Sequence, residues 1–114
     1  MKNIISAIFM TFFALGVSAQ KMPKVNETEL RAAFTNLKDQ PSARFRDIKL
    51  APRKDPGAWT ICGEVNSKNS YGGYEGFNRF MGIVFEGESN QKKLKYMVLT
   101  QSETADPMCA IYGL

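Results

Sequence analysis

The chain has 114 residues, with 15 Lys and Arg against 11 Asp and Glu, two cysteines and no histidine. That composition lacks the ligand set of a zinc site and the imidazole base that would activate a nucleophilic cysteine, and no metal or other cofactor is expected. The net charge of +4 is spread along the chain, with no long basic run and no nucleic-acid module, so nucleic acid is not an expected partner.

The first residues read as a secretory signal peptide. Lys2 makes a short basic start, Ile4 to Leu15 is almost unbroken apolar sequence, and Val17, Ser18 and Ala19 are the small residues of a cleavage site. The apolar run is well short of the ~20 residues a membrane-spanning helix needs, so no stable membrane insertion is expected after cleavage. No cysteine follows the small residues, which closes the lipoprotein route. Cleavage after Ala19 divides the chain into a signal peptide, 1–19, and one small domain, 20–114. The domain is 114 less 19, or 95 residues long, and loss of Lys2 leaves 14 basic against 11 acidic residues, a net +3. One modest core is expected at that length.

Val25 to Leu37 carries the clearest helical pattern. Asn26 is placed as N-cap with Glu29 three residues on, Val25 and Leu30 hold the two positions of a hydrophobic staple, and Leu30, Ala33, Phe34 and Leu37 make one apolar stripe. Pro41 stops the helix at or before Gln40. From Ser42 to Leu50 the apolar alternation of Ala43 and Phe45 changes phase before Ile48 and Leu50, the sign of a turn or β-bulge at Arg46 and Asp47. Pro52 to Gly57 is a turn.

In the next strand Trp59, Ile61, Gly63 and Val65 face one way, while Thr60, Cys62, Glu64 and Asn66 face the other. A polar, glycine-punctuated loop follows from Asn66, with Tyr71 and Tyr74 flanking Gly72 and Gly73. Phe77 to Phe85 is apolar on both sides, as in a central strand, Glu86 to Gln91 is a turn, and Leu94 to Thr100 is the last strand. Ser102 to Tyr112 gives a weak final turn or short helix that Pro107 could start.

Cys62 and Cys109 have only each other, and an oxidising compartment would join them across 109 less 62, or 47 residues of chain. Helix, four strands and a tied tail predict an α+β fold: an N-terminal helix packed on a roughly four-stranded antiparallel sheet, with the tail held by one disulfide. A small β-barrel without a packed helix is the second architecture.

The run Cys62-Gly-Glu-Val-Asn-Ser-Lys-Asn-Ser-Tyr-Gly-Gly-Tyr74, continued to Phe77 and joined by Pro41 to Ile48 and by Met108, Cys109 and Ala110, resembles a set of small exported bacterial proteins and lipoproteins of unassigned function. The resemblance implies a bacterial envelope location, periplasmic or secreted, and brings no activity or catalytic residue with it.

Glu64, Glu75 and Asp47 have no paired spacing that would mark an acid and a base, so a non-catalytic role is expected. The candidate binding residues are Asn66, Lys68, Asn69, Tyr71 and Tyr74, because exposed aromatics among hydrogen-bonding side chains are what binding loops on rigid scaffolds contain. The plainer alternative is that both tyrosines close the end of the core. Three functions stay open: a protein-binding module of inhibitor or immunity type acting on another envelope or secreted protein, a receptor for a small ligand or envelope glycan, and a structural envelope part. The sequence carries no sign of oligomeric state.

Overall fold

A computed structural model describes residues 22–87 and 93–114; the expected signal peptide lies outside them. The chain order is α1 (Glu27–Ala32), a single turn of 3₁₀ helix (Gln40–Ser42), β1 (Arg44–Pro52), β2 (Ala58–Asn66), β3 (Asn78–Glu86), β4 (Leu94–Gln101), a second 3₁₀ turn (Ser102–Thr104) and α2 (Ala105–Ile111). The strands form one antiparallel sheet in the order β1-β2-β3-β4, so every pairing joins neighbours in sequence.

Alternation along β2 decides which side chains each face buries. Ile61 and Val65 join Phe80 and Val84 of β3 on one face, with Leu30, Phe34 and Ala43 above them. Phe34 is the keystone: its ring meets Phe80 edge-on at 5.1 Å between centroids and Phe45 at 5.6 Å. Gly63 leaves the space that the Phe80 ring fills, since a Cβ there would lie 3.0 Å from that ring. On the opposite face Cys62 and Met81 are covered by Ala105 and Cys109 of α2, with Tyr112 and Leu114 packed beside them.

The expected N-terminal helix in Val25 to Leu37 is corrected: six residues are helical, and the longest helix among the described residues, α2, is C-terminal, with seven residues. The start is as the sequence specifies, for the Asn26 side chain accepts hydrogen bonds from the Thr28 and Glu29 amides. The Asn26 amide, however, donates to the Tyr96 hydroxyl at 2.9 Å and not back to Glu29. Beyond Ala32 the helix tightens, with Phe34 N bonding Arg31 O, and Gln40 Nε2 donates to the carbonyls of Ala32 and Phe34. Gln40 therefore caps two carbonyls that a continued helix would have bonded, and the chain leaves the helix to seat Phe34. The layer over this face is thus a short helix and an irregular segment.

Strand register shifts between Arg46 and Lys49, where Asp47 takes φ 53°, a bulge where the phase of the alternation changes. A second irregularity lies between Met81 and Gly82; a Cβ on Gly82 would run into the Met97 carbonyl, so only glycine allows β3 and β4 to approach there. Cys62 and Cys109 are joined, with Cα atoms 6.1 Å apart. The bond fixes α2 to β2, and two further ties hold its end: Arg53 donates to both Thr60 Oγ1 and the Tyr112 hydroxyl, and Arg79 Nη2 donates to the Leu114 carbonyl. Pro107 falls in the first turn of α2, where its missing N–H costs nothing.

Candidate functional site

The connection between β2 and β3 is built around Asn69. Its Oδ1 accepts from the amides of Tyr71 and Gly73 at 2.9 and 3.1 Å, while its own amide donates to the Gly73 carbonyl at 2.8 Å. Its Nδ2 donates to Glu75 Oε1. One residue thus organises a tight turn, the standard use of asparagine where backbone donors would otherwise be unpaired. Gly72 takes φ 82° at the apex, which glycine adopts without strain. Asn66 closes the far end of the loop by accepting from the Gly76 amide.

The base of the loop is tied to the start of β1. The Lys68 amide donates to Ser42 Oγ, the Tyr74 hydroxyl donates to the Ser42 carbonyl at 3.0 Å, and Lys68 and Tyr74 form an isolated antiparallel bridge. The Arg44 guanidinium lies 4.3 Å from the centre of the Tyr74 ring, and that of Arg46 lies 3.9 Å from the Phe77 ring, so two cation–π contacts along β1 hold the returning strand of the loop.

The two tyrosines consequently do different work. Tyr74 is half-buried and anchors the loop, whereas Tyr71 is 96 % exposed at the tip, touching solvent with almost its whole ring. Of the five residues named from sequence, Asn66, Asn69 and Tyr74 are committed to internal hydrogen bonds, Tyr71 is free, and Lys68 is held by its backbone with its ammonium 5.8 Å from the Tyr74 ring centre. What sequence reading missed is the role of Arg44 and Arg46 as the aromatic rests of this loop. The signal available was their i, i+2 spacing on the polar face of β1.

A second location is an open cleft of about 610 Å³ where β3 and β4 meet the start of α2, lined by Glu64, Arg79, Gln101, Ser102, Glu103 and Asp106. Ser102 holds φ 65° at its rim. Its charges answer one another: Arg46 Nε lies 2.5 Å from Glu64 Oε2, and Arg79 Nε lies 2.9 Å from Asp106 Oδ1, close enough for an ion pair although the N–H is not aimed at that oxygen. The hydrogen bond from Arg46 holds the Glu64 carboxyl below the usual carboxylate range. That paired state gives Glu64 no tendency to act as a general acid near neutral pH. Among the described residues no group of three Cys, Asp or Glu side chains is placed to hold a metal ion, and no helix is long and apolar enough to cross a membrane.

No family model matches the chain, and neither a curated protein nor a solved structure does.

Proposed function

We propose that this is a small exported envelope protein that binds another protein through the tip of the β2–β3 loop, in the manner of an inhibitor or immunity protein, without catalysis. The observation that carries the reading is Tyr71: a 96 % exposed aromatic at the apex of a turn fixed by the hydrogen bonds of Asn69. A rigid loop loses little freedom when its partner docks, and tyrosine offers a large amphipathic surface at low entropic cost, which is why such residues dominate interface energetics. The disulfide and the signal-like N-terminus support a periplasmic or secreted location, in keeping with the resemblance to small exported bacterial proteins. Stacking of a glycan between two tyrosines is less well supported, since the Tyr74 ring already lies against Arg44.

The test is retention of a partner from envelope extract by the wild-type domain and by Tyr71→Ala. Tyr71→Ala should weaken binding by about 1–3 kcal/mol with an unchanged melting temperature, because the side chain it removes touches almost nothing in the free protein. Retention of every partner by both proteins with equal affinity refutes the assignment to the tip, and retention of a glycan instead of a stoichiometric protein replaces the reading.

A further inference from the structure

The five arginines of the chain are not used alike. Arg31 donates to the Ala43 carbonyl, Arg46 to Glu64, Arg53 to Thr60 and Tyr112, and Arg79 to the Leu114 carbonyl. Arg44 donates to nothing among the described residues, although its guanidinium is held 4.3 Å from the centre of the Tyr74 ring. A guanidinium carries five N–H donors, and a positioned one with every donor open is set to receive an acceptor from outside. Lys68 stands at the same ring. Its ammonium lies 5.8 Å from the ring centre, it too donates no side-chain hydrogen bond, and neither cation belongs to an ion pair among the described residues. The two charges are therefore within 4.3 plus 5.8, or 10.1 Å, of each other. That is close to the Debye length in physiological salt, roughly 8 Å, so their repulsion is screened only in part. Glu75, the one acid of the loop, is bonded to Asn69 Nδ2 and pairs with neither. Folding thus holds two like charges together without a counter-charge, on a frame fixed by the bonds of Tyr74 and Lys68 to Ser42.

We infer that Arg44 and Lys68 form a carboxylate clamp at the Tyr74 ring, and that the protein bound at the Tyr71 tip presents an acidic segment to it. The clamp rests on the protein-binding role proposed for the loop and supplies the partner's chemistry. Arg44 takes one carboxylate through the paired N–H groups of its guanidinium, and Lys68 takes a second as a point charge. Two residues of extended chain span about 6.6–6.8 Å, inside the separation of the two cations, so Asp or Glu at alternate positions of the partner's chain meets both. Because the cations are already in place, little side-chain freedom is lost on binding, and their mutual repulsion falls when the carboxylates arrive. An anionic membrane is the poorer match. From Ser67 to Gly76 the loop offers two aromatic rings, one of them tied down, and no aliphatic side chain to enter a bilayer.

The experiment is titration of the full chain with tetraglutamate, followed by NMR at the Arg44 Nε–H group and the Tyr74 ring, with tetralysine as the control probe. Both signals should move with tetraglutamate and stay still with tetralysine. Arg44→Gln and Lys68→Gln should each weaken tetraglutamate binding at least about fivefold, and Arg44→Lys less than Arg44→Gln. Exposed Lys54→Gln and Tyr71→Ala should leave it unchanged. Should Arg44→Gln loosen the loop, Lys68→Gln still decides, because the backbone of Lys68 and not its ammonium is bonded there. The same variants are then compared for retention of the partner from envelope extract. Loss of the partner by Lys68→Gln as well as by Tyr71→Ala supports the clamp. Retention by Arg44→Gln and Lys68→Gln where Tyr71→Ala loses it overturns the clamp and leaves the tip standing, and the opposite pattern keeps the clamp and refutes the tip. No shift with tetraglutamate, or equal weakening by Lys54→Gln, overturns the inference. So does binding to phosphatidylglycerol vesicles without binding to tetraglutamate, which assigns the two cations to a lipid surface.

Discussion

Removing the Cys62–Cys109 bond tests how the C-terminal helix is held. The bond closes 47 residues of chain, for which the loop-entropy relation gives about 4 kcal/mol of stabilisation. Against the roughly 5–15 kcal/mol typical of whole domains that is a large share. Structure sharpens the expectation, because α2 has seven residues, far below the roughly 12–15 an isolated helix needs to be even marginal in water, and two of the four buried residues of its cluster are the bonded cysteines. Without the bond, α2 keeps Ala105 against Met81, the flanking packing of Tyr112 and Leu114, the Arg79–Asp106 ion pair and the ties from Arg53 and Arg79. Urea unfolding of the double variant Cys62→Ala/Cys109→Ala should therefore show a loss of about 3–4 kcal/mol, and amide exchange should show protection lost first across residues 105–111 while β2 and β3 stay protected. A loss below about 1 kcal/mol, or α2 amides as protected as those of β3, would refute the argument that the bond and not the packing holds the helix.

Other variants probe the remaining structure. Phe34→Ala removes a buried ring that touches Phe45 and Phe80 and should cost about 3–5 kcal/mol in denaturant unfolding, while exposed Lys38→Ala should cost under about 0.5 kcal/mol. Equal small losses would mean that the irregular segment after α1 does not seal the core. Glu64→Gln breaks the ion pair with Arg46, but Arg46 is 54 % exposed, so only a small loss of stability is expected in denaturant unfolding. The sign of its pH dependence is fixed by the lowered carboxyl: the contribution is present above the unfolded carboxyl pKa and fades as pH falls through the lower folded value, which an NMR titration of Glu64 in wild type and Arg46→Ala would follow.

Much of the sheet is legible in the sequence because period-2 alternation and local turn chemistry act within a few residues. The strand from Trp59 to Asn66 begins one residue earlier, at Ala58, and the phase change after Phe45 marks the bulge at Asp47. The disulfide follows from arithmetic on two cysteines. The first helix is overstated because its apolar stripe continues past Ala32, yet Phe34 reaches the core better from irregular backbone that Gln40 can cap, a choice made by tertiary contacts. The C-terminal helix is understated for the converse reason: its short, proline-containing sequence has weak propensity, and a covalent bond to β2 secures it. Tyr71 and Tyr74 are indistinguishable on paper, flanking the same two glycines. What separates them is the register of the loop against β1, which brings Arg44 and Ser42 to the Tyr74 ring and leaves the Tyr71 ring exposed among the described residues.

The meander order of the strands governs how the chain can acquire this structure. Each strand pairs with the one just made, so the ladder can grow hairpin by hairpin with only short stretches of chain to close at each step. The N-terminal segment cannot dock early, because the Tyr96 hydroxyl that receives the Asn26 amide belongs to the last strand. Cys109, likewise, meets Cys62 on a face shared with Met81 of β3. Oxidation of the thiol pair should therefore trail formation of the β2–β3 hairpin, and acid-quenched alkylation during refolding would find free thiols in chains whose central strands are already protected from exchange.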